Sequence, residues 1–95
     1  MVFNFMKQRA RKPRHHLSDL NVGESGILAG FDMEQSVAEH LMNLGFVPGL
    51  EVLVARSGPG GNPRVYRVDG TEVALRRDLS RLIEVSPLGA EAGAD

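Results

Sequence analysis

The stretch from His40 to Pro63, HLMNLGFVPGLEVLVARSGPGGNP, confines what this chain can build. A helical pattern stops at Leu44-Gly45, and Pro48-Gly49 bars its resumption. The alternating run that follows is cut short by the Gly/Pro cluster beginning at Ser57. Glycine frees φ and proline fixes it, so such clusters impose turns. The segments left between them have the length and alternation of strands.

The cluster SGPGGNPR also poses a chemical question, because Gly-rich loops can cradle phosphate. A phosphate loop works by converging backbone N–H groups at a helix N-terminus. Here Pro59 and Pro63 remove two donors, the Gly-Lys-Ser/Thr ending is missing, and a strand pattern follows. The cluster therefore reads as turn geometry between strands.

The rest of the chain extends this pattern. SGILAGF, Ser25 to Phe31, reads as a first strand with Ile27 and Ala29 on one face. Asp32 looks like a helix N-cap, with Gln35 placed as in a capping box. Met33, Val37, Leu41 and Leu44 form an apolar stripe at helical spacing. Gly45 ends the helix, and Phe46 reaches back toward Leu41. Pro48-Gly49 suits the centre of a type II turn. Leu50, Val52 and Val54 line one face of a second strand, and RVYRV makes a third. Asp69-Gly70 signals a tight hairpin. TEVAL returns with Thr71, Val73 and Leu75 on one face. RRDLSRL gives about one helical turn that groups Leu75, Leu79 and Leu82, and IEV closes as a short strand. A sheet this small gains by curling, which removes exposed edges. The expected fold is mainly β: a five-stranded SH3-like barrel, with one α-helix after the first strand and a short helical turn before the last.

At 95 residues with 42% apolar content, the chain supports one modest core. It has no cysteine, hence no disulfide framework or thiolate metal site, which suits a reducing cytoplasm. No apolar run approaches the roughly 20 residues of a membrane span. The start MVFNFMKQRARKPRHH has its charges after its apolar residues, the wrong order for a secretory signal. Net charge is −1, unevenly spread. Lys7, Arg9, Arg11, Lys12 and Arg14 precede the first acidic residue, leaving six basic residues against 12 acidic ones in the remainder. The domain reading is a flexible basic arm over 1–16, the barrel over 17–86, and a flexible tail over 87–95. For the arm, an unstructured leader, contact with nucleic acid phosphates and contact with anionic lipid headgroups all stay open.

LMNLGFVPGLEVLVARSGPGGNPRVYRVDGTEVALRRDLSRLIEV resembles the FeoA family, accessory proteins of bacterial ferrous iron transport. It is also similar to the C-terminal barrel of DtxR-type iron-dependent repressors. The resemblance rests on Leu41, Leu44-Gly45, Pro48-Gly49, the strand from Leu50 to Arg56, Pro59-Gly61-Pro63, Gly70 and Ala74-Leu75-Arg76. It covers Leu17 to Val85 and leaves the arm and tail outside. It implies a non-enzymatic, cytoplasmic protein, brought to the membrane through its partner. That partner would be a FeoB-like transporter, engaged through its cytoplasmic GTPase region to modulate iron uptake. The alternative is a stand-alone repressor-type barrel, acting as a protein or nucleic-acid-associated regulatory adaptor.

The residues themselves bear on each function class. For metal, the candidates are His15, His16, His40, Asp32, Glu34 and Glu39. Adjacent histidines on the arm make no preformed site, and Glu39 and His40 point apart on a helix. These side chains read as a solvated surface. Transition metal binding thus stands as a family-level term, without assigned ligands. No serine has a recognisable base and orienting acid, so no catalytic residue and no cofactor is expected. For partner docking, Met42, Leu44, Phe46 and Leu53 exceed what one short helix and strand can bury, and Arg76 and Arg77 can pair with acidic groups. Association through strand edges would give a homo-oligomer.

Overall fold

The turn residues set the architecture, and the strands fill the intervals between them. The computed structural model describes residues 15–88. Strand β1 is His15–His16, followed by a 3₁₀ turn at Leu17–Asp19. Strand β2 spans Ser25–Phe31, helix α1 Gln35–Asn43 and strand β3 Glu51–Ser57. A 3₁₀ turn at Pro59–Gly61 precedes β4 at Arg64–Val68 and β5 at Thr71–Leu75. Helix α2, Arg77–Ser80, leads into β6 at Ile83–Pro87.

All pairings are antiparallel, in the order β1-β6-β2-β3-β4-β5. Among the described residues the sheet has six strands, where five were expected. The sixth is the His15–His16 pair, which aligns with Val85 and Glu84. His15 and His16, assigned to the arm, thus belong to the sheet; the rest of the arm, residues 1–14, and most of the tail, 89–95, lie outside the described residues. The expected closure is absent as well. Among the described residues no ladder joins β1 to β5, so the sheet is an open, curled layer with two edges.

The core lies on the concave side and takes residues from every strand but β1. Tyr66 and Phe46 are its largest members, both fully buried, with ring centroids 6.3 Å apart at 90°. An edge-to-face pair of this kind adds about 0.5–1.5 kcal/mol beyond the area it buries. Val52, Val54, Val68, Leu75, Ile83 and Val85 surround the pair. Leu17 and Leu20 also enter the core, from the 3₁₀ turn and the residue that follows it. Three-residue spacing eclipses side chains on such a turn, so both leucines face inward.

On β2 the buried face belongs to Gly26 and Leu28, while Ile27 is half-buried and Ala29 exposed. The face expected from Ile27 and Ala29 is therefore the outer one. A bulge between Leu28 and Gly30 shifts the register against β6, which alters which residues face inward. At Gly26 the sheet leaves no room for a side chain. A Cβ there would sit 2.9 Å from the Ser86 carbonyl oxygen.

Helix α1 starts later than the sequence suggests. The Asp32 N–H donates to the Leu82 carbonyl at 2.7 Å, which keeps the chain extended beyond β2. Glu34 takes the N-cap position, with no side-chain cap. Gln35 donates to Glu39 one turn on, at 3.0 Å, instead of closing a capping box on Asp32. The buried face is Ala38 and Leu41, with Met33 packed against the core. Val37 and Leu44, members of the expected stripe, remain 36% and 38% exposed. The C-terminus behaves as expected. Gly45 adopts φ +118, its N–H donates to Met42, and the Phe46 N–H donates to Leu41, both at 3.0 Å. This paired closure is the Schellman arrangement, and it delivers the Phe46 ring to the core.

The two remaining turns match their sequence signals. Leu50 N–H donates to the Val47 carbonyl across Pro48-Gly49, with Gly49 at φ +99, a type II turn. Asp69 and Gly70 sit at φ 51 and 80 between the paired Val68 and Thr71, a type I′ hairpin.

Candidate functional site: the outer surface of the sheet and α1

The six residues named for partner docking occupy separate places. Phe46 is fully buried, so it supports the surface from beneath and offers no contact area. Leu44 is exposed and Met42 half-buried, at the C-terminal end of α1. Leu53 is half-buried on the outer side of β3, opposite the inward Val52 and Val54. Arg76 and Arg77 are exposed at the start of α2.

Sequence reasoning passed over two neighbours of Leu44. Val37 precedes it by seven residues on the same helix, and Val47 follows three residues on, 40% exposed. Seven residues are two helical turns, so Val37 and Leu44 share a face. The signal lay in the stripe itself: it carries more apolar residues than the short helix buries.

The convex face of the β3–β4–β5 meander is charged. Register places Leu53 beside Arg67 and Arg67 beside Glu72. Glu72 accepts from Arg56 Nη2 and from Arg67 Nη2, each at 2.8 Å. These hydrogen bonds, that from Arg56 foremost, pull the Glu72 carboxyl down to about 2. One carboxylate thus holds two guanidinium groups. Charges on this face also blunt the nearby β5 edge against mispairing.

The Gly-rich loop docks on α2. The Asn62 Oδ1 accepts the Arg77 backbone N–H at 3.0 Å, satisfying a donor at the helix start. Gly61 N–H donates to Gly58, and Gly58 N–H donates to Pro63, at 2.9 and 2.8 Å. These amides are spent inside the loop, in keeping with a structural role.

A solvent-open hollow of about 320 Å³ lies where β1 and β6 begin and end, with His15, Asp19, Glu24 and Pro87 among its walls. Among the described residues, no three of His, Asp and Glu converge as a metal-binding set. No helix among them is long and apolar enough to cross a membrane.

An open antiparallel sheet curled over one core, with the Gly-rich loop locked on a short helix, defines a small SH3-like β domain. The FeoA domain family matches residues 15–87, and the chain belongs to it. A relative from Porphyromonas gingivalis, an Fe(2+) transport protein A/Fe(2+) transporter FeoB fusion protein, is 28% identical over 76 residues. The match takes in 80% of this chain but only 9% of that protein's length. Among solved structures, iron(II) transport protein A of Clostridium thermocellum is 31% identical with a TM-score of 0.73, over 79% of this chain and 46% of that one. FeoA of Stenotrophomonas maltophilia, solved with zinc and described as a procaryotic SH3 domain protein, is 33% identical. Its TM-score is 0.67, over 76% of this chain and 89% of that one. A manganese-dependent transcriptional repressor shares the fold at 18% identity, with a TM-score of 0.70.

Proposed function

We propose that this chain is a non-enzymatic, cytoplasmic accessory protein of ferrous iron transport that docks on the GTPase region of a FeoB-like membrane transporter. The observation that carries this reading is the Porphyromonas gingivalis fusion, in which transport protein A and FeoB are one polypeptide. Covalent linkage holds two segments at high local concentration, an advantage when they must meet.

The docking surface lies at the end of α1, where Leu44 shares a face with Val37 and Val47 follows; Met42, on another side of the helix, Leu53, Arg76 and Arg77 are further contacts. Apolar groups supply the contact area, and arginines pair with acidic groups on the partner. Modulation follows if one conformational state of the transporter binds more tightly than another, since a ligand shifts an equilibrium only by that difference.

Capture of the intact transporter in nucleotide-free and GTP-bound forms tests the reading. Leu44→Asp places a charge at the centre of the surface. Stability should change by no more than about 0.5 kcal/mol, as for exposed positions generally. Transporter binding should weaken at least about tenfold, the effect of an unpaired charge in an apolar contact. Equal capture of the variant and the parent chain removes α1 from the interface. No capture in either nucleotide state removes the function.

A further inference from the structure

Between the Gly-rich loop and α2 lies a crevice in which two buried polar groups have no partner among the described residues. Its walls include Ser18, Gly61, Arg64, Tyr66, Arg77 and Ser80. Arg64 and Tyr66 stand two apart on β4 and so face the same side of the sheet. Tyr66 is fully buried, and its hydroxyl has no hydrogen-bond partner among the described residues. Arg64 Nη1 donates to the Leu20 carbonyl. Its Nε is buried and likewise unpartnered.

The charge is as unbalanced as the hydrogen bonding. Arg64 and Arg77 make no ion pair with a carboxylate among the described residues. No Asp or Glu lines the crevice. The Arg77 guanidinium lies over Gly61, 3.8 Å from where a Cβ on that residue would stand. A guanidinium only donates hydrogen bonds, so the two arginines call for an acceptor that none of the side chains lining the crevice supplies as an anion. A buried N–H or hydroxyl without a partner is costly, and here both the Arg64 Nε–H and the Tyr66 hydroxyl are in that position among the described residues.

We propose that this crevice is a receptor for one small oxyanion group, a carboxylate or a phosphate. The Nε edge of Arg64 is the edge that grips such a group with two parallel hydrogen bonds. Tyr66 donates a third from the buried end, and Arg77 closes over the mouth. The crevice is tight, so even a single oxyanion group enters only when a wall side chain moves. As the side chains stand, no water-sized sphere enters. The exposed Arg77 side chain is the part that swings aside to admit the anion. The Gly-rich loop contributes closeness at Gly61 rather than phosphate-binding amides.

The test needs no transporter, so its failure is separate from failure of the docking reading. The full chain, labelled with ¹⁵N, is titrated with sodium phosphate, sodium acetate, or sodium chloride at matched ionic strength. The Arg64 Nε–H resonance is followed, together with the thermal midpoint. A saturable shift with phosphate or acetate, not reproduced by chloride, is the expected result. Response to phosphate alone assigns a phosphate-type ligand, and response to acetate as well assigns a carboxylate. Tyr66→Phe and Arg64→Lys should each weaken the anion about tenfold, the loss of one charge-assisted hydrogen bond. Tyr66→Phe should also raise the anion-free midpoint, because it removes an unpaired buried hydroxyl. An absent or chloride-like shift overturns the proposal, and so does undiminished binding by both variants.

Discussion

The two halves of the sheet are held by different means. The β3–β4–β5 meander is joined by a loop and a two-residue hairpin, so each strand pairs with its neighbour in sequence. The β1–β6–β2 half is assembled from opposite ends of the described chain: Gly26 meets Pro87, and His15 meets Val85. Local pairings need little loop closure, whereas distant ones pay its entropic cost before they add stability. The meander is therefore the region expected to persist when the fold loosens, and the seam between β2 and β6 the region expected to part first.

Substitutions can break or sharpen this contrast. The largest effect is expected from Ile83→Ala, which truncates a fully buried residue of β6. A loss of about 2–5 kcal/mol in denaturant unfolding is typical of such a cavity. A loss below 1 kcal/mol would mean that the seam is not packed tightly. Next comes Gly26→Ala, whose methyl group meets the Ser86 carbonyl. Overpacking of this kind costs about 1–3 kcal/mol. Hydrogen exchange should then rise across β2 and β6 while β4 and β5 stay protected, and uniform loss of protection would erase the distinction between the halves.

Smaller effects are expected on the meander. Gly70→Ala puts a Cβ at φ +80 and should cost about 1 kcal/mol, with the pairing of β4 and β5 intact by NMR. The smallest belongs to Glu72→Gln. Glu72 titrates near 2 in the fold, below its ordinary value of 4.5, so its contribution is present above that ordinary value and is lost as pH falls toward 2. The variant should flatten this acid slope slightly, because the pair is exposed and screened by salt. A carboxyl carbon midpoint near 4.5 in the parent chain would show that the two arginines do not hold Glu72 in solution.

Much of the meander was readable because its signals are local. Pro48-Gly49, Asp69-Gly70 and the alternation of Val52 and Val54 each act through backbone φ or through a period of two. The misreadings share another cause. In SGILAGF both alternating sets hold apolar or small residues, so only the bulge and the contact with β6 decide that Leu28 faces inward. Asp32 carries a sound capping signal, but a carbonyl fifty residues away takes its N–H first. Leu17 and Leu20 stand among turn-formers, and their three-residue spacing is too short to reveal a buried face. Phe46 follows the helix-ending Gly45 as its local signal requires, yet its burial depends on Tyr66, which no local rule supplies. The crevice at Arg64 is hidden for the same reason: its walls come from three separated stretches of chain, at 18, 61–66 and 75–80.

Pairing between His15 and Val85 has a consequence for how this unit can be carried. Entry and exit of the folded body emerge side by side from one end of a two-strand ladder, so a host polypeptide can insert the whole unit at a surface turn without stretching it. A short peptide bridging residues 15 and 87 would equally permit new termini to be cut at the Asp69-Gly70 hairpin, with the sheet order conserved.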